Sequence, residues 1–265
     1  MTGLDYDVSA LDLEGYLERV DVPGEGLAPD AATLRLLHRA HRLAVPFENL
    51  DLLQGRGISL ALPDIQDKLV GARRGGYCYE QNLLFAAVLL SLGFEVSGLM
   101  GRTRLGSPSV RARAHMLLRV TVEGRAWLAD VGCGSFGPLD PLPLIPGRPD
   151  GQGSWTYRIA EDGADLVLEV RRGDSWFGLY AFTLDEYHLV DYVVANHFNS
   201  AHPDSVFTRE ALVQLPGVES RITLRGSRLV EALPDGRTVE QELRDAGAVR
   251  AVLAERFGLD AGLPR

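Results

Sequence analysis

One stretch of the sequence constrains the fold more than any other part of the chain. Residues 73–82 read RRGGYCYEQN, a glycine pair followed by an aromatic–Cys–aromatic triplet. An apolar block runs from Leu83 to Leu92 and ends at Gly93. A block of this length that stops at a glycine predicts a buried helix with a glycine at its C-terminus. The pattern therefore places Cys78 in the first turn of a buried helix, directly after a flexible glycine pair.

The predicted position of Cys78 suggests chemistry as well as structure. The N-terminus of a helix carries partial positive charge, because its first backbone N–H groups have no intrahelical partner. That charge favours a thiolate, the nucleophilic form of cysteine, and the glycines allow a close approach to the sulfur. The same stretch also fits a buried structural cysteine at a helix start, so by itself it leaves both interpretations open.

Composition narrows the class of protein. The chain has 265 residues, of which 46% are hydrophobic and 24% charged, as in many globular proteins of one large domain or a few subdomains. A net charge of −9 disfavours nucleic-acid binding, which needs a basic surface. The N-terminal residues lack a basic signal segment, and the apolar run Leu83–Leu90 is too short to span a membrane. Two cysteines make no disulfide framework, so we expect a cytoplasmic protein without nucleic-acid or membrane partners.

The part of the chain before Gly93 is predicted to be mainly helical. Between two helical segments, VPFENL at residues 45–50 sets the polar Glu48 and Asn49 in an apolar context. A buried Glu48 would need a partner, and Arg74 is the candidate. A solvent-exposed Glu48 fits the sequence alone equally well. Helical spacing is found over Asp12–Val20, Asp30–Leu43 with Asp30 as N-cap, and the segment that starts at Asp64–Leu69.

After Gly93 the periodicity changes from helical to alternating, and the clearest element is a hairpin around Glu123-Gly124. With a two-residue loop, Val122 faces Arg125, and the side chain of Asp130 lies on the same face as that of His115. The two residues are then diagonal neighbours, roughly 7–8 Å apart at the backbone, within reach of their side chains. A three-residue loop would put them on opposite faces.

Together, Cys78, His115 and Asp130 make the nucleophile, base and orienting carboxylate of a Cys–His–Asp triad. Each residue also has a simpler explanation, since His115 fits a surface histidine on an edge strand and Asp130 fits a turn former before Gly132. Their joint position on one face favours the catalytic interpretation. Cys133, the other cysteine, has no helix start nearby, and we interpret it as a pocket or structural residue.

The sequence predicts an α+β architecture in three parts, because helices and strands are segregated along the chain. A helical part covers residues 1–93 and carries the nucleophile, a central antiparallel β part covers 94–207 and carries His115 and Asp130, and a mixed α/β part covers 208–265. A site between subdomains follows from this division. Two helices are expected in the later parts. They are Leu184 to about Phe198, from a capping box over residues 183–186, and Val239–Phe257, mainly helical.

Several motifs, in this order, resemble those of the arylamine N-acetyltransferases, and the resemblance spans nearly the whole chain. The Arg-Gly-Gly-aromatic-Cys-aromatic-Glu stretch is the most specific of them. The motifs are VPFENL at 45–50, RGGYCYEQN at 74–82, AH at 114–115, DVG at 130–132, HPDSVF at 202–207 and RFGL at 256–259.

The resemblance implies a helical bundle, a β-barrel and an α/β lid around a cysteine-protease-like core. It implies that acetyl-coenzyme A acetylates Cys78 in the Cys78–His115–Asp130 triad, and that an arylamine, arylhydrazine or hydroxylamine then takes the acetyl group in a ping-pong reaction. A role in xenobiotic metabolism and the absence of a metal follow from the same likeness. It also implies roles for residues outside the triad. Arg74, Glu48 and Asn82 would support the loop around Cys78, and Phe47, Cys133, Gly134 and Phe207 would line the acceptor pocket.

One position departs from the family pattern, which usually has phenylalanine where this chain has Cys133. A smaller side chain would open the acceptor pocket or bring a second thiol near it, so the resemblance leaves the preferred acceptor open. Three alternatives also remain at this stage. They are an amide synthase of the same fold that closes a macrolactam from a carrier-bound acyl chain, a thiol hydrolase with a Cys–His–Asp order, and a metal-binding protein, for which ligand spacing such as paired C-x-x-C is missing.

Overall fold

The computed structural model describes residues 4–107 and 109–260 of the chain. A π-helical turn, Asp67–Gly71, follows the fourth helix, and a 3-10 turn, Val206–Thr208, follows the sixth. The helices are α1 Leu13–Val20, α2 Ala31–Ala44, α3 Leu50–Leu53, α4 Leu62–Gln66, α5 Cys78–Ser91, α6 Leu189–Ala201 and α7 Ala246–Phe257. The strands are β1 Phe47–Glu48, β2 Glu95–Thr103, β3 Arg113–Val122, β4 Arg125–Ala129, β5 Leu142–Pro143, β6 Asp150–Gln152, β7 Trp155–Asp162, β8 Asp165–Arg172, β9 Ser175–Phe182, β10 Leu212–Pro216, β11 Arg221–Arg225, β12 Arg228–Ala232 and β13 Thr238–Glu242.

The larger sheet has eight antiparallel strands in the order β5-β4-β3-β2-β9-β8-β7-β6. Leu142 on the edge strand β5 shares one apolar cluster with Trp155 on β7, near the other edge of the sheet. Leu99, Leu117 and Leu128 of the strands between belong to the same cluster. A sheet whose opposite edges share a core is curled on itself, so the eight strands form a nearly closed barrel.

The smaller sheet has five strands in the order β1-β10-β11-β12-β13. Its first strand, Phe47–Glu48, comes from the helical part of the chain and pairs with β10. Helix α7 packs on this sheet through Leu253 and Phe257. The structure is therefore α+β, with helices, a barrel and an α/β unit, as the sequence predicts, while the boundaries at residues 93 and 207 stay predictions.

Helix α5 is the central element, because it is buried along almost its whole length from Cys78 to Leu89. The outer face of the barrel packs against it through Met116, Leu118 and Val120. Helix α5 begins at Cys78, and Gly93, with φ at +86°, follows its C-terminus. The prediction of a buried helix that has Cys78 in its first turn and ends at Gly93 is confirmed.

Local signals in the sequence also predicted other elements correctly. Asp30 caps α2 by accepting the backbone N–H of Thr33 at 2.8 Å. In the β3–β4 hairpin Val122 is paired with Arg125, so the loop has two residues and the predicted register is confirmed. Strand β3 continues upstream to include His115, and Asp130 follows β4 directly.

Helix α6 corrects one expectation, because it begins at Leu189 and not at Leu184. The side chains of the expected capping box are engaged elsewhere: Glu186 accepts hydrogen bonds from Arg119 and Ser97. The backbone N–H of Tyr187 bonds to Gly98 of β2, which holds this segment against the barrel. The N-cap residue of α6 is His188, whose backbone N–H donates to the carboxylate of Asp191 at 2.9 Å.

The expectation of a mainly helical segment over Val239–Phe257 is wrong in its first part. Residues Thr238–Glu242 form β13, and the helix begins only at Ala246. The turn at Gly236, with φ at +88°, brings the chain back along β12, where Glu240 forms an ion pair with Arg228. Pairing with a neighbouring strand overrides the weak helical pattern of this short segment. No helix among the described residues is long and apolar enough to cross a membrane.

Candidate active site

The glycine pair ahead of α5 allows two segments of backbone to touch. A Cβ on Gly75 would lie 2.1 Å from the carbonyl oxygen of Pro46, so only glycine fits there. Gly76 accepts the N–H of Glu48 at 3.1 Å and donates its own N–H to Pro46. The start of α5 is thereby fixed to the VPFENL segment, and Cys78, at the first helical position, is 3% exposed.

The structure brings together the three side chains that the sequence singled out. Nε2 of His115 lies 2.7 Å from Oδ2 of Asp130. The other carboxylate oxygen, Oδ1, accepts the side-chain N–H of Asn82 and the backbone N–H of Gly132, both at 3.0 Å. The sulfur of Cys78 is close enough to act on His115 by a hydrogen bond and by its charge.

The electrostatics of these residues favour a charged imidazole. Burial alone would lower the pKa of His115, but the carboxylate of Asp130, followed by the sulfur of Cys78, raises it to about 10. Burial alone would raise the pKa of Asp130, but the charge and hydrogen bond of His115 lower it to about 2. An imidazolium held between a carboxylate and a sulfur can stabilise that sulfur as a thiolate.

Gly132 packs directly over the first residue of α5. A Cβ at this position would lie 2.6 Å from Cα of Cys78 and 2.9 Å from the side-chain nitrogen of Asn82. Asn82 also accepts the N–H of Val131 at 3.1 Å and donates to the carbonyl of Met116 at 2.8 Å. A single asparagine on α5 therefore connects β3 to the loop that follows β4.

The structure contains the predicted contact between Glu48 and Arg74. Glu48 is fully buried, and its Oε1 accepts two hydrogen bonds from Arg74, the shorter at 2.6 Å. Its Oε2 accepts the backbone N–H of Leu50 at 2.7 Å. Asn49 donates to the carbonyls of Phe207 and Glu210 at 2.7 and 2.8 Å, and so ties the later segment to the same loop.

The four residues expected in an acceptor pocket lie in two neighbouring groups. The rings of Phe47 and Phe207 are 5.9 Å apart, and Phe207 also contacts the ring of Tyr77, the residue before Cys78. Gly134, with φ at +66°, lies so close to Gln214 that a Cβ would be 2.3 Å from its side-chain oxygen. Gln214 pairs with Phe47 in the smaller sheet. Cys133 is half-buried and lies close enough to Asp130 for the carboxylate to act on its thiol.

Comparisons with known proteins agree with this geometry. The N-acetyltransferase family model matches residues 30–264. The arylamine N-acetyltransferase of Escherichia coli strain K12 is 38% identical over 251 residues, which cover 93% of this chain and 88% of that protein. The chain belongs to the arylamine N-acetyltransferase family. Membership of this family makes the protein an acyltransferase.

Solved structures of arylamine N-acetyltransferases share the whole fold. The enzyme from Nocardia farcinica has a TM-score of 0.91 and 40% sequence identity, and the match covers 98% of this chain and 92% of that one. The enzyme from Mycobacterium marinum, solved in complex with CoA, has a TM-score of 0.88 and 37% identity, with 94% and 93% covered. The likeness therefore includes the helices, the barrel and the smaller sheet.

This family member also carries buried residues near the site that sequence reasoning missed. Arg42, on α2, donates to the carbonyls of Val131 and Gly134 at 2.9 and 2.5 Å, and Arg221, on β11, donates to the carbonyl of Gly137 at 2.5 Å. The two guanidinium groups hold the loop after Asp130 from two sides. The helical spacing of Arg42 gave no signal of this role, since its partners are about ninety residues away.

One donor set near the site includes residue types that bind metals. The ligand atoms of His115, Asp130 and Cys133 lie within 4.8 Å of one another. In this protein the imidazole of His115 and the carboxylate of Asp130 are hydrogen-bonded to each other. The guanidinium of Arg42 acts on both Asp130 and Cys133 as a nearby positive charge, which disfavours a further cation.

Proposed function

We propose that the protein transfers an acetyl group from acetyl-coenzyme A to an arylamine, arylhydrazine or hydroxylamine through a thioester on Cys78. The observation that carries the proposal is the position of His115, bonded to Asp130 at 2.7 Å and within hydrogen-bond reach of the sulfur of Cys78. The solved complex of the Mycobacterium marinum relative with CoA supports the choice of donor. Cys78 is the nucleophile, His115 the base and Asp130 the orienting carboxylate.

In the first half-reaction the thiolate of Cys78 attacks the thioester carbonyl of the donor. The tetrahedral intermediate is stabilised by backbone N–H groups at the start of α5, that of Cys78 among them. When the carbon–sulfur bond to coenzyme A breaks, the leaving thiolate takes the proton from the imidazolium of His115. The products are free coenzyme A and acetyl-Cys78, and His115 is left neutral.

In the second half-reaction the amine attacks the acetyl group on Cys78. His115, now neutral, accepts the proton that the amine nitrogen loses, and the sulfur of Cys78 leaves as a thiolate beside the imidazolium. Aromatic amines are weak bases and are unprotonated at neutral pH, so they attack directly. Alkylamines are mostly protonated at that pH, and we expect them to be poor acceptors.

Arg74, Glu48 and Asn82 hold this arrangement in place without touching the substrate. Phe47, Phe207, Cys133 and Gly134 line the pocket for the acceptor ring. The names of the relatives reported above favour the N-acetyltransferase over a macrolactam-forming amide synthase. The cytoplasmic location and the xenobiotic role stay predictions of the sequence.

The test is the intact mass of the protein after mixing with acetyl-coenzyme A and no amine, followed by peptide mapping. We expect one acetyl group on the peptide that contains Cys78, discharged when an aniline is added and retained when an alkylamine is added. An unmodified Cys78 in folded protein would refute the acetyl donor and point to carrier-bound acyl chains. Acetyl on Cys133 would show that the nucleophile is the other cysteine.

A further inference from the structure

Lys68 is the only lysine of the chain, and it lies on the π-helical turn Asp67–Gly71. Its Nζ is 2.7 Å from Oδ2 of Asp51 and 2.7 Å from Oε1 of Glu80, and its side chain is 15% exposed. π-helical turns often occur at functional sites, because they change the direction of side chains within a helix. In this chain the turn directs the ammonium group of Lys68 to the first turn of α5.

Glu80 connects Lys68 to the nucleophile. One oxygen of its carboxylate is bonded to Lys68, and the other, Oε2, accepts the backbone N–H of Tyr77 at 3.0 Å. Tyr77 is the residue before Cys78. A Cβ on Gly76 would lie 2.8 Å from Oε2 of Glu80, so the glycine makes room for the carboxylate at the helix start.

The ionised form of Glu80 depends on Lys68 for its stabilisation. The carboxylates of Glu48, Asp51 and Glu80 lie close together around Lys68 and Arg74. The guanidinium group of Arg74 bonds to the first two of these carboxylates. Within the described part of the chain, Lys68 is the cation that lies at bonding distance from Glu80. Burial raises the pKa of Glu80 to about 7, although the charge and hydrogen bond of Lys68 act in the opposite direction. Glu80 therefore changes charge near neutral pH, and Lys68 stabilises its ionised form.

We propose that Lys68 is a positioning residue for acyl transfer, which holds the carboxylate of Glu80 against the backbone of Tyr77 and so places Cys78 beside His115. The proposal rests on the function proposed above for its role in acyl transfer. The ion pair between Lys68 and Glu80 exists only while Glu80 is ionised, whereas the ion pair between Lys68 and Asp51 persists both below and above neutral pH. The effect of Lys68 on Cys78 through Glu80 is therefore large above neutral pH and small below it.

The test measures the rate at which iodoacetamide alkylates Cys78, resolved from Cys133 by peptide mapping, at pH 6 and pH 8.5. The variants are Lys68→Met, Glu80→Gln and the double variant. The matched control is Arg56→Met, which removes another cation from Asp51 at 2.6 Å but has a 57% exposed side chain. Circular dichroism and a thermal melt at each pH verify that every variant is folded.

We expect Lys68→Met to slow alkylation about tenfold at pH 8.5 and only about twofold at pH 6, since breaking a buried ion pair matters only where the pair exists. In the Glu80→Gln background we expect Lys68→Met to slow alkylation of Cys78 only slightly, and by the same factor at pH 6 and pH 8.5. Arg56→Met is expected to behave as the wild type. An equal effect of Lys68→Met at both pH values, or an unchanged pH dependence in the Glu80→Gln background, would overturn the proposal.

The readout separates this inference from the proposed function, because alkylation needs no acetyl donor. If acetyl-coenzyme A leaves Cys78 unmodified while alkylation keeps the expected pH dependence, the choice of donor is wrong and the positioning by Lys68 stands. If Cys78 is acetylated normally but Lys68→Met has no pH-dependent effect, the function stands and the role of Lys68 is refuted.

Discussion

Nε2 of His38 accepts the backbone N–H of Asp130 at 3.1 Å, although the two residues are 92 positions apart. Nδ1 of the same ring lies 2.7 Å from the carbonyl of Leu139, so this nitrogen carries the proton and donates it. Burial lowers the pKa of His38 to about 4, which keeps the ring neutral. A neutral histidine on α2 therefore fixes both ends of the loop from Asp130 to Leu139.

Replacing His38 is expected to destabilise the protein in a pH-dependent way. His38→Leu leaves the N–H of Asp130 and the carbonyl of Leu139 without partners, which costs about 1–3 kcal/mol per group. The folded pKa lies below the unfolded value, so the contribution of His38 is complete above pH 6.5. It falls by about 3 kcal/mol as the pH falls to 4. The deficit of the variant in free energy of unfolding should therefore be largest at pH 7 and shrink towards pH 4.

Urea unfolding of both proteins at pH 7, 5.5 and 4.5 measures this deficit. The control is His197→Gln, a substitution at an exposed histidine on α6. A deficit for His38→Leu that is constant over this pH range would show that His38 does not stay neutral in the folded protein.

Gly132→Ala is expected to reduce acetylation of Cys78 by more than about tenfold, since the new Cβ would lie 2.6 Å from Cα of Cys78. Two of the three nearest atoms, Cα and the carbonyl oxygen of Cys78, are backbone and cannot move aside as a flexible side chain would, and the third is the side-chain nitrogen of Asn82. Overpacking of this kind costs about 1–3 kcal/mol of stability. Gly151→Ala, in β6, is the control, because nothing lies within 4 Å of its added Cβ. Rapid-quench mass spectrometry gives the rate, and equal rates for the two variants would contradict the prediction.

Arg42→Met is expected to lower the free energy of unfolding by about 3 kcal/mol, because the buried carbonyls of Val131 and Gly134 would lose their donor. Arg42→Lys should recover only part of this loss, since an ammonium group cannot reproduce the planar set of donors. The control is Arg39→Met on the same helix, where the side chain of Arg39 is 38% exposed and its ion pair with Asp140 is worth about 0.5 kcal/mol. Urea unfolding at pH 7 distinguishes these cases. Similar losses for the two methionine variants would refute the role given to Arg42.

The two cysteines are expected to differ strongly in reactivity. Burial, followed by the charge of Asp130, raises the pKa of the Cys133 thiol well above its usual value. The thiolate is the reactive form, so at pH 7.5 iodoacetamide should label Cys78 at least about tenfold faster than Cys133. In Cys78→Ser, the slow labelling of Cys133 should persist. Peptide mapping of a time course measures both rates, and comparable rates would mean that Cys133 is also a thiolate.

Much of the fold could be predicted because its signals are local. The start of α5 follows from two glycines and an apolar run, and the register of the β3–β4 hairpin follows from its two-residue loop. The α6 prediction failed for the opposite reason. Glu186 looked like part of a cap in its own segment, but it bonds to Arg119 of β3, a partner that periodicity cannot reveal.

The sequence by itself determined the residue types of the site and put His115 and Asp130 on one face, because side-chain direction along a strand alternates with a fixed period. Only the tertiary structure decided which distant side chains hold these residues in place. His38 and Arg42 approach the loop after Asp130 from α2, and Lys68 reaches Glu80 from a π-helical turn. Such contacts depend on how whole elements pack, and a buried polar group takes whichever partner that packing brings within hydrogen-bond distance.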